Sequence, residues 1–354
     1  MQGAYYGGQD TATRKVVEMD YTTPDVARLL AAFQRRKYDR VPNFEVVVMP
    51  AMVRYIMGWP DDGEHEIASW GLAPSDAVEY AKRTCQDAIF CATSWWLGIG
   101  FDERGSVCSW EDIDRITPPD PNEYRQKVMT YLSAVAGTNI GVCITITAPF
   151  MPVYMAVGPI PIQSFMLKLC DDLPFIERLM DIQQRHQIEI LEAIADLPVS
   201  FVYMDDDTCS STGYFASPRM MEQIWRPRTE RLVTLVKRMR LPIIWHCCGK
   251  LDPILPLLAR WGISAVHPVQ PSCNDIYSIK RQWGEHISLI GNMNIEGVLA
   301  FGSPDEVAAD TREHIDGLAY DGGYVAASGH SIVDAIPPEN YMALIRTAQE
   351  CGRF

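Results

Sequence analysis

A histidine and two cysteines stand together at His246-Cys247-Cys248, directly after the apolar run 242–245. Imidazole and thiolate are donors that zinc accepts, and a catalytic zinc keeps one coordination position open. In an extended strand, positions 246 and 248 face one side and 247 the other. His246 and Cys248 can therefore converge on one ion while Cys247 packs outward. Two buried thiols beside a hydrogen-bonded histidine would give the same pattern. A zinc site needs a third ligand from another strand, and His330 is the best-placed candidate.

Other polar residues also close apolar runs. Asp205, Asp206 and Asp207 end 200–207, His267 lies near the end of 263–269 with Gln270 directly after it, Asn292 and Asn294 end 286–294, and Ser328 and His330 end 322–330. Polar groups in such runs are costly unless paired or bound to something. The acids at 205–207 can take a proton, orient a ligand histidine or bind substrate; a solvated loop is the alternative. His267, before Pro268, reads as structural. Trp95, Trp96 and Tyr154, near strand ends, read as an apolar wall for a substrate.

These residues need strands to carry them. Segments 41–48, 87–94, 141–148, 200–207, 242–248, 263–269, 286–294 and 322–330 are short, apolar and rich in β-branched and aromatic residues, as strands buried on both faces are. Helical stretches separate them. Those at 217–240 and 303–319 open with Ser-Pro, an N-cap followed by proline at the first helical position. Alternating strand and helix implies parallel pairing, and eight candidate strands match a single (β/α)8 TIM barrel of the α/β class. We assign 1–38 to an N-terminal helical extension and 39–354 to the barrel, with 95–125 as an insertion or lid. Barrel enzymes place their chemistry at the C-terminal strand ends, where these polar residues fall.

The chain has 354 residues, 47% of them apolar, so one large core is affordable. With 31 basic against 45 acidic residues the net charge is −14, which argues against nucleic acid or anionic membranes as partners. No apolar run has the length of a membrane span or signal peptide. Ten scattered cysteines suit reduced thiols, hence a cytoplasmic protein.

The stretch HCCGKLDPILPLLARWGISAVHPVQPSCNDIYSIKRQWGEHISLIGNMN (246–294), with GGYVAASGHSIVDAIPPENY (322–341) and DRVPNFE (39–45), resembles the uroporphyrinogen decarboxylase superfamily. The resemblance implies a (β/α)8 barrel. Porphyrin decarboxylases of that superfamily carry an Arg-Gln-Ala-Gly-Arg motif where this chain has VVVMPAMVRYIMG (46–58). The cobalamin-dependent methyltransferases instead carry His-x-Cys at the fifth strand and a distant cysteine. His246-Cys247-Cys248 matches the first part, and His330 in SGHSI stands where the cysteine would be. Some members add a third-strand glutamate; here Thr147 precedes Ala148-Pro149.

The resemblance thus implies zinc on His246, Cys248 and His330, more Lewis acidic than in thiol-activating relatives. The reaction implied is methyl transfer from a small methoxylated, aromatic substrate to the Co(I) of a separate corrinoid protein, since the chain has no Asp-x-His-x-x-Gly cobalt motif. Asp205 or Asp206 would orient a ligand or balance the proton, Glu45 would contact substrate or complete the zinc shell, and Asn292 would hydrogen-bond the substrate. Residues 95–125 would form the rim on which the corrinoid protein docks, and a homodimer is compatible with this arrangement. The rivals are a methylcobamide:thiol methyltransferase, a metal-free decarboxylase that uses His246 and the aspartates as acid–base groups, and a carrier of a small ligand.

Overall fold

The structure is a computed structural model that describes residues 23–61, 63–98 and 105–354. Its strands are β1 (Ala88–Cys91), β2 (Gly141–Thr147), β3 (Phe201–Asp205), β4 (Cys209–Ser210), β5 (Gly213–Tyr214), β6 (Ile243–His246), β7 (Ala265–His267), β8 (Ser288–Ile290) and β9 (Tyr324–Val325). Seven of them form one parallel sheet in the order β1-β2-β3-β6-β7-β8-β9, while β4 and β5 make a small antiparallel hairpin. Helices fill the crossovers, as parallel pairing requires. The result is a TIM-barrel-like α/β fold. Among the described residues, no helix is long and apolar enough to cross a membrane.

Strand alternation sorts the core into two. Phe44, Val46, Phe90, Cys143, Phe201, Tyr203, Ile244, Ala265, Ile290, Val325 and Ala327 fill the barrel's inside. Their chain neighbours, such as Ile144, Val202, Trp245 and Val266, pack against the surrounding helices. Two-residue periodicity therefore decides which side chains reach the interior.

Eight regular strands were expected from the sequence, and the described residues contain seven in the sheet. Segment 41–48 runs beside β9, but only through isolated parallel bridges, Asn43 to Ala326 and Val48 to Ile332. Pro42 has no N–H to donate, and Pro50 opens the helix Pro50–Met57, so a continuous ladder cannot form there. Phe44 and Val46 still fill the interior, which makes the segment an irregular eighth stave.

Of the expected extension 1–38, residues 1–22 lie outside the described residues. The helix Val26–Phe33 follows, capped by Asp25, whose side chain accepts from Ala27 N–H at 3.0 Å. Its Leu29, Ala32 and Phe33 enter the inner core, and Phe33 meets Phe201 edge-to-face at 5.2 Å. Ser288, the first residue of β8, donates to Ala32 O at 2.7 Å. The helix thus closes the end of the barrel where strands begin.

The stretch 217–240 was expected as one helix. It starts at Pro218 under a Ser217 cap, widens into a π turn over Met221–Trp225, and resumes as Arg226–Arg238. Pro227 cannot donate to the preceding turn, and a π turn absorbs that mismatch. The widened turn carries Trp225, whose Nε1 donates to Asp206 just past β3 at 2.7 Å.

Candidate functional site

One row of side chains crosses four adjacent strands at the open end. Thr147 pairs with Asp205, Asp205 with His246, and His246 with His267. Each lies an even number of residues beyond an interior residue of its own strand: Cys143, Tyr203, Ile244 and Ala265. All four therefore face inward, and the inner lining changes from apolar to polar within one layer. Thr147 Oγ1 donates to Asp205 Oδ1 at 2.7 Å. Burial pushes the Asp205 carboxyl up to about 7, against the pull of that hydrogen bond and with help from the charge of Asp207. Asp205 is thus able to hold a proton near neutrality.

Just beyond the row, Asp207 and Cys248 complete a trio with His246. Their candidate ligand atoms all lie within 4.8 Å of one another. Cys248 Sγ is 3.4 Å from His246 Nε2, and Asp207 Oδ1 is 3.6 Å from the same nitrogen. Asp207 Oδ1 also accepts from the Cys248 N–H at 2.7 Å, which ties the two strand ends together. Burial drives the Cys248 thiol well above its ordinary range, and the Asp207 carboxylate drives it further. Burial lowers His246 to about 4; Asp207 opposes this and His330 adds to it. His246 is therefore neutral at ordinary pH, the form that ligates metals. Among the described residues Asp207 forms no ion pair with lysine or arginine, so the charge that would relieve carboxylate and thiolate is not supplied by a side chain. One oxygen, one nitrogen and one sulfur donor so arranged fit zinc, which also deprotonates a coordinating thiol outright.

His330 stands outside the trio. Its ring centroid is 6.5 Å from that of His246, with the rings at 75°. Tyr154 does border the trio: burial raises its hydroxyl far above the usual range, and Asp207, Asp206 and Cys248 raise it further. Tyr154 belongs to an aromatic group with Phe150 at 5.8 Å and Phe215 at 5.8 Å. Cys247 packs outward, its sulfur 3.5 Å from Thr208 Oγ1.

Four residues expected at the site are held elsewhere. Asp206, on the opposite face from its neighbours, accepts from the Met151 N–H at 2.6 Å, the Phe150 N–H at 3.3 Å and Trp225 Nε1 at 2.7 Å. It caps the helix Phe150–Ala156 from outside the barrel; burial pushes it up to about 8, which those three bonds oppose. Glu45 lies between the inward-facing Phe44 and Val46 and so turns to the layer behind the wall. There Ser328 donates to it through both N–H, at 3.0 Å, and Oγ, at 2.7 Å. Asn292 donates to Val269 O at 2.6 Å and meets His314 Nε2 at 3.1 Å, behind the sheet. Trp95 is packed edge-on against His186 at 4.9 Å, and its carbonyl accepts from Gln183 and Gln187. Of the expected docking rim 95–125, residues 99–104 lie outside the described residues.

Two residues at the centre were not singled out in sequence. Asp207 was one acid among three, although the alternation that joins 246 to 248 also joins 205 to 207. His267 read as structural, yet its Nδ1 lies 2.8 Å from His246 Nδ1.

The uroporphyrinogen decarboxylase (URO-D) family model matches residues 103–351. The chain is similar to the methylcobamide:CoM methyltransferase MtaA of Methanosarcina barkeri, with 24% identity over 91% of this chain and 97% of that protein. It is also similar to the methylcobamide:CoM methyltransferase MtbA of Methanosarcina mazei, with 22% identity over 93% of this chain and 98% of that protein. Among solved structures, a methyltransferase from Methanosarcina mazei superposes with a TM-score of 0.66 at 20% identity, over 93% of this chain and 99% of that one. That superposition supports the fold.

Proposed function

The chain belongs to the uroporphyrinogen decarboxylase family, and on that footing we propose that it is a zinc-dependent methyltransferase working with a separate corrinoid protein. It takes the methyl group of a small methoxylated, aromatic compound and delivers it to the partner's Co(I). The convergence of Asp207, His246 and Cys248 carries this reading. Those three residues would hold the zinc, with His330 as a further donor at their edge. Bound zinc would supply Lewis acidity to the ether oxygen, which makes it a better leaving group. The O–CH3 bond breaks, the methyl group passes without its electron pair to the Co(I) nucleophile, and the oxygen keeps that pair. Asp205, protonated near neutrality and next to His246 in the row, gives its proton to that oxygen, so a phenol departs. Tyr154 and its aromatic neighbours flank the substrate ring. Similarity to two proteins named methylcobamide:CoM methyltransferases supports the corrinoid as methyl partner.

Those same names favour a second reading, transfer from methylcobamide to a thiol. The oxygen donor of Asp207 and the protonated Asp205 favour the ether, because a thiol nucleophile needs no acid beside its leaving group. One experiment separates the two. Zinc-loaded protein is mixed anaerobically with a reduced corrinoid protein and a panel of methoxyarenes, and in parallel with a methylated corrinoid protein and a thiol. Phenol with loss of Co(I) absorbance is the expected result. A methylated thiol without any phenol would establish the second reading, and no zinc in the purified protein would remove both.

A further inference from the structure

We propose that His267 sets the tautomer of His246, and thereby decides which imidazole nitrogen is offered to the metal; the inference rests on the metal-site reading above. The two Nδ1 atoms are 2.8 Å apart, so one ring donates there and the other accepts. His246 Nε2 faces Cys248 Sγ at 3.4 Å and Asp207 Oδ1 at 3.6 Å. An ion held by the trio takes the lone pair of that Nε2, which leaves the ring proton on Nδ1. This proton is then donated to His267 Nδ1, and His267 has to carry its own proton on Nε2.

Metal-bound histidines usually donate their second nitrogen to a carboxylate or a carbonyl, which can only accept. An imidazole in that place accepts in one tautomer and donates in the other. In the reverse arrangement His267 Nδ1–H donates to His246, whose proton sits on Nε2 and blocks the metal position. The pair is thus a two-state element, and binding of the ion selects one state. Its geometry is fixed from several sides. His267 is 1% exposed, its carbonyl accepts from Cys247 N–H at 3.1 Å, and its ring lies 6.2 Å from that of Tyr203. Its Nε2 has no hydrogen-bond partner among the described residues, so nothing else selects its tautomer.

The test uses the full chain with 15N-labelled histidine. Long-range 1H–15N spectra assign the tautomers before and after one equivalent of zinc, and chelator competition gives zinc affinity for wild type, His267→Asn and His267→Leu. We expect Nδ1–H on His246 and Nε2–H on His267 in the zinc-loaded wild type. His267→Leu, which cannot accept, should lose about 10- to 100-fold in zinc affinity, whereas the amide oxygen of His267→Asn should restore most of it. Zinc-loaded His267 with its proton on Nδ1, or His267→Leu with wild-type affinity, would overturn the proposal. If the leucine variant does not fold, the wild-type spectra and the asparagine variant still decide. Wild-type protein that holds no zinc would overturn the site reading and this inference together. Zinc with the expected tautomers but no methyl transfer would overturn only the assigned reaction.

Discussion

At the closed end of the barrel, Asp87 lies against the guanidinium groups of Arg28 and Arg40, and Arg28 also forks onto both oxygens of Asp39 at 2.6 Å. At the open end, Asp205 meets a threonine hydroxyl, and Asp207 meets an imidazole and a backbone N–H beside a thiol. Both ends remove carboxylates from water, which is costly without compensation. The closed end supplies permanent cations from its own chain, which hold Asp87 to about 6 against the upward push of burial. On the proposed reading, the open end leaves compensation to protons and to a bound cation. Permanent pairing holds a structure together, whereas exchangeable pairing lets a reaction proceed. The difference marks the open end as the candidate working end without any reference to relatives.

The comparison is broken most directly at the open end. Cys248→Ser should reduce zinc from near one per chain to about a tenth or less, and methyl transfer by about 1000-fold or more, measured by metal analysis and the anaerobic assay. At the closed end, Arg28→Leu removes the nearer of the two guanidinium groups from buried Asp87 and the fork onto half-exposed Asp39. It should cost about 3–5 kcal/mol in urea unfolding while zinc per folded chain stays unchanged. A variant that lost zinc as well would show that the two ends are not independent. Asp205→Asn keeps the shape of the row but removes its proton donor, so kcat should fall about 100-fold with zinc retained.

Glu45 sharpens the contrast, being a buried acid behind the wall with no ion pair to arginine among the described residues. Burial raises it to about 7 from an ordinary 4.5, with the Ser328 bonds opposing. The unfolded chain loses this proton first as pH rises. The contribution of Glu45 to stability is therefore full below about 4.5, falls between about 4.5 and 7, and is lost above that. Glu45→Gln should flatten this dependence, gaining about 1–3 kcal/mol on wild type at pH 8 relative to pH 4.5 in urea titrations. The methyl-transfer pH profile should not move.

What the sequence made legible follows from the range over which each signal acts. The inward pair His246 and Cys248, with Cys247 outward, needs only strand alternation, and so do the apolar runs that became β1 to β3 and β6 to β9. Applied to 205–207, the same alternation separates Asp205 and Asp207 from Asp206; proximity in sequence had blurred them. Glu45 misled for a related reason, since its neighbours Phe44 and Val46 take the interior. His267 was out of reach, because its place comes from lying opposite His246 in a register fixed by the crossover through the helix Leu255–Trp261. Asn292 and Trp95 were likewise claimed by partners on distant helices, His314 in one case and Gln183 and Gln187 in the other.

The helix Val26–Phe33 gives the molecule the form of a cup rather than a pipe. A cup fills and empties over a single lip. If a carrier of cobalt covers that lip, as the proposed reaction requires, the small reactant would already have to be inside, and its remnant would wait until the cover lifts. Turnover on such a vessel would be a matter of taking turns, with order of arrival imposed by one eight-residue helix far from any bond that breaks.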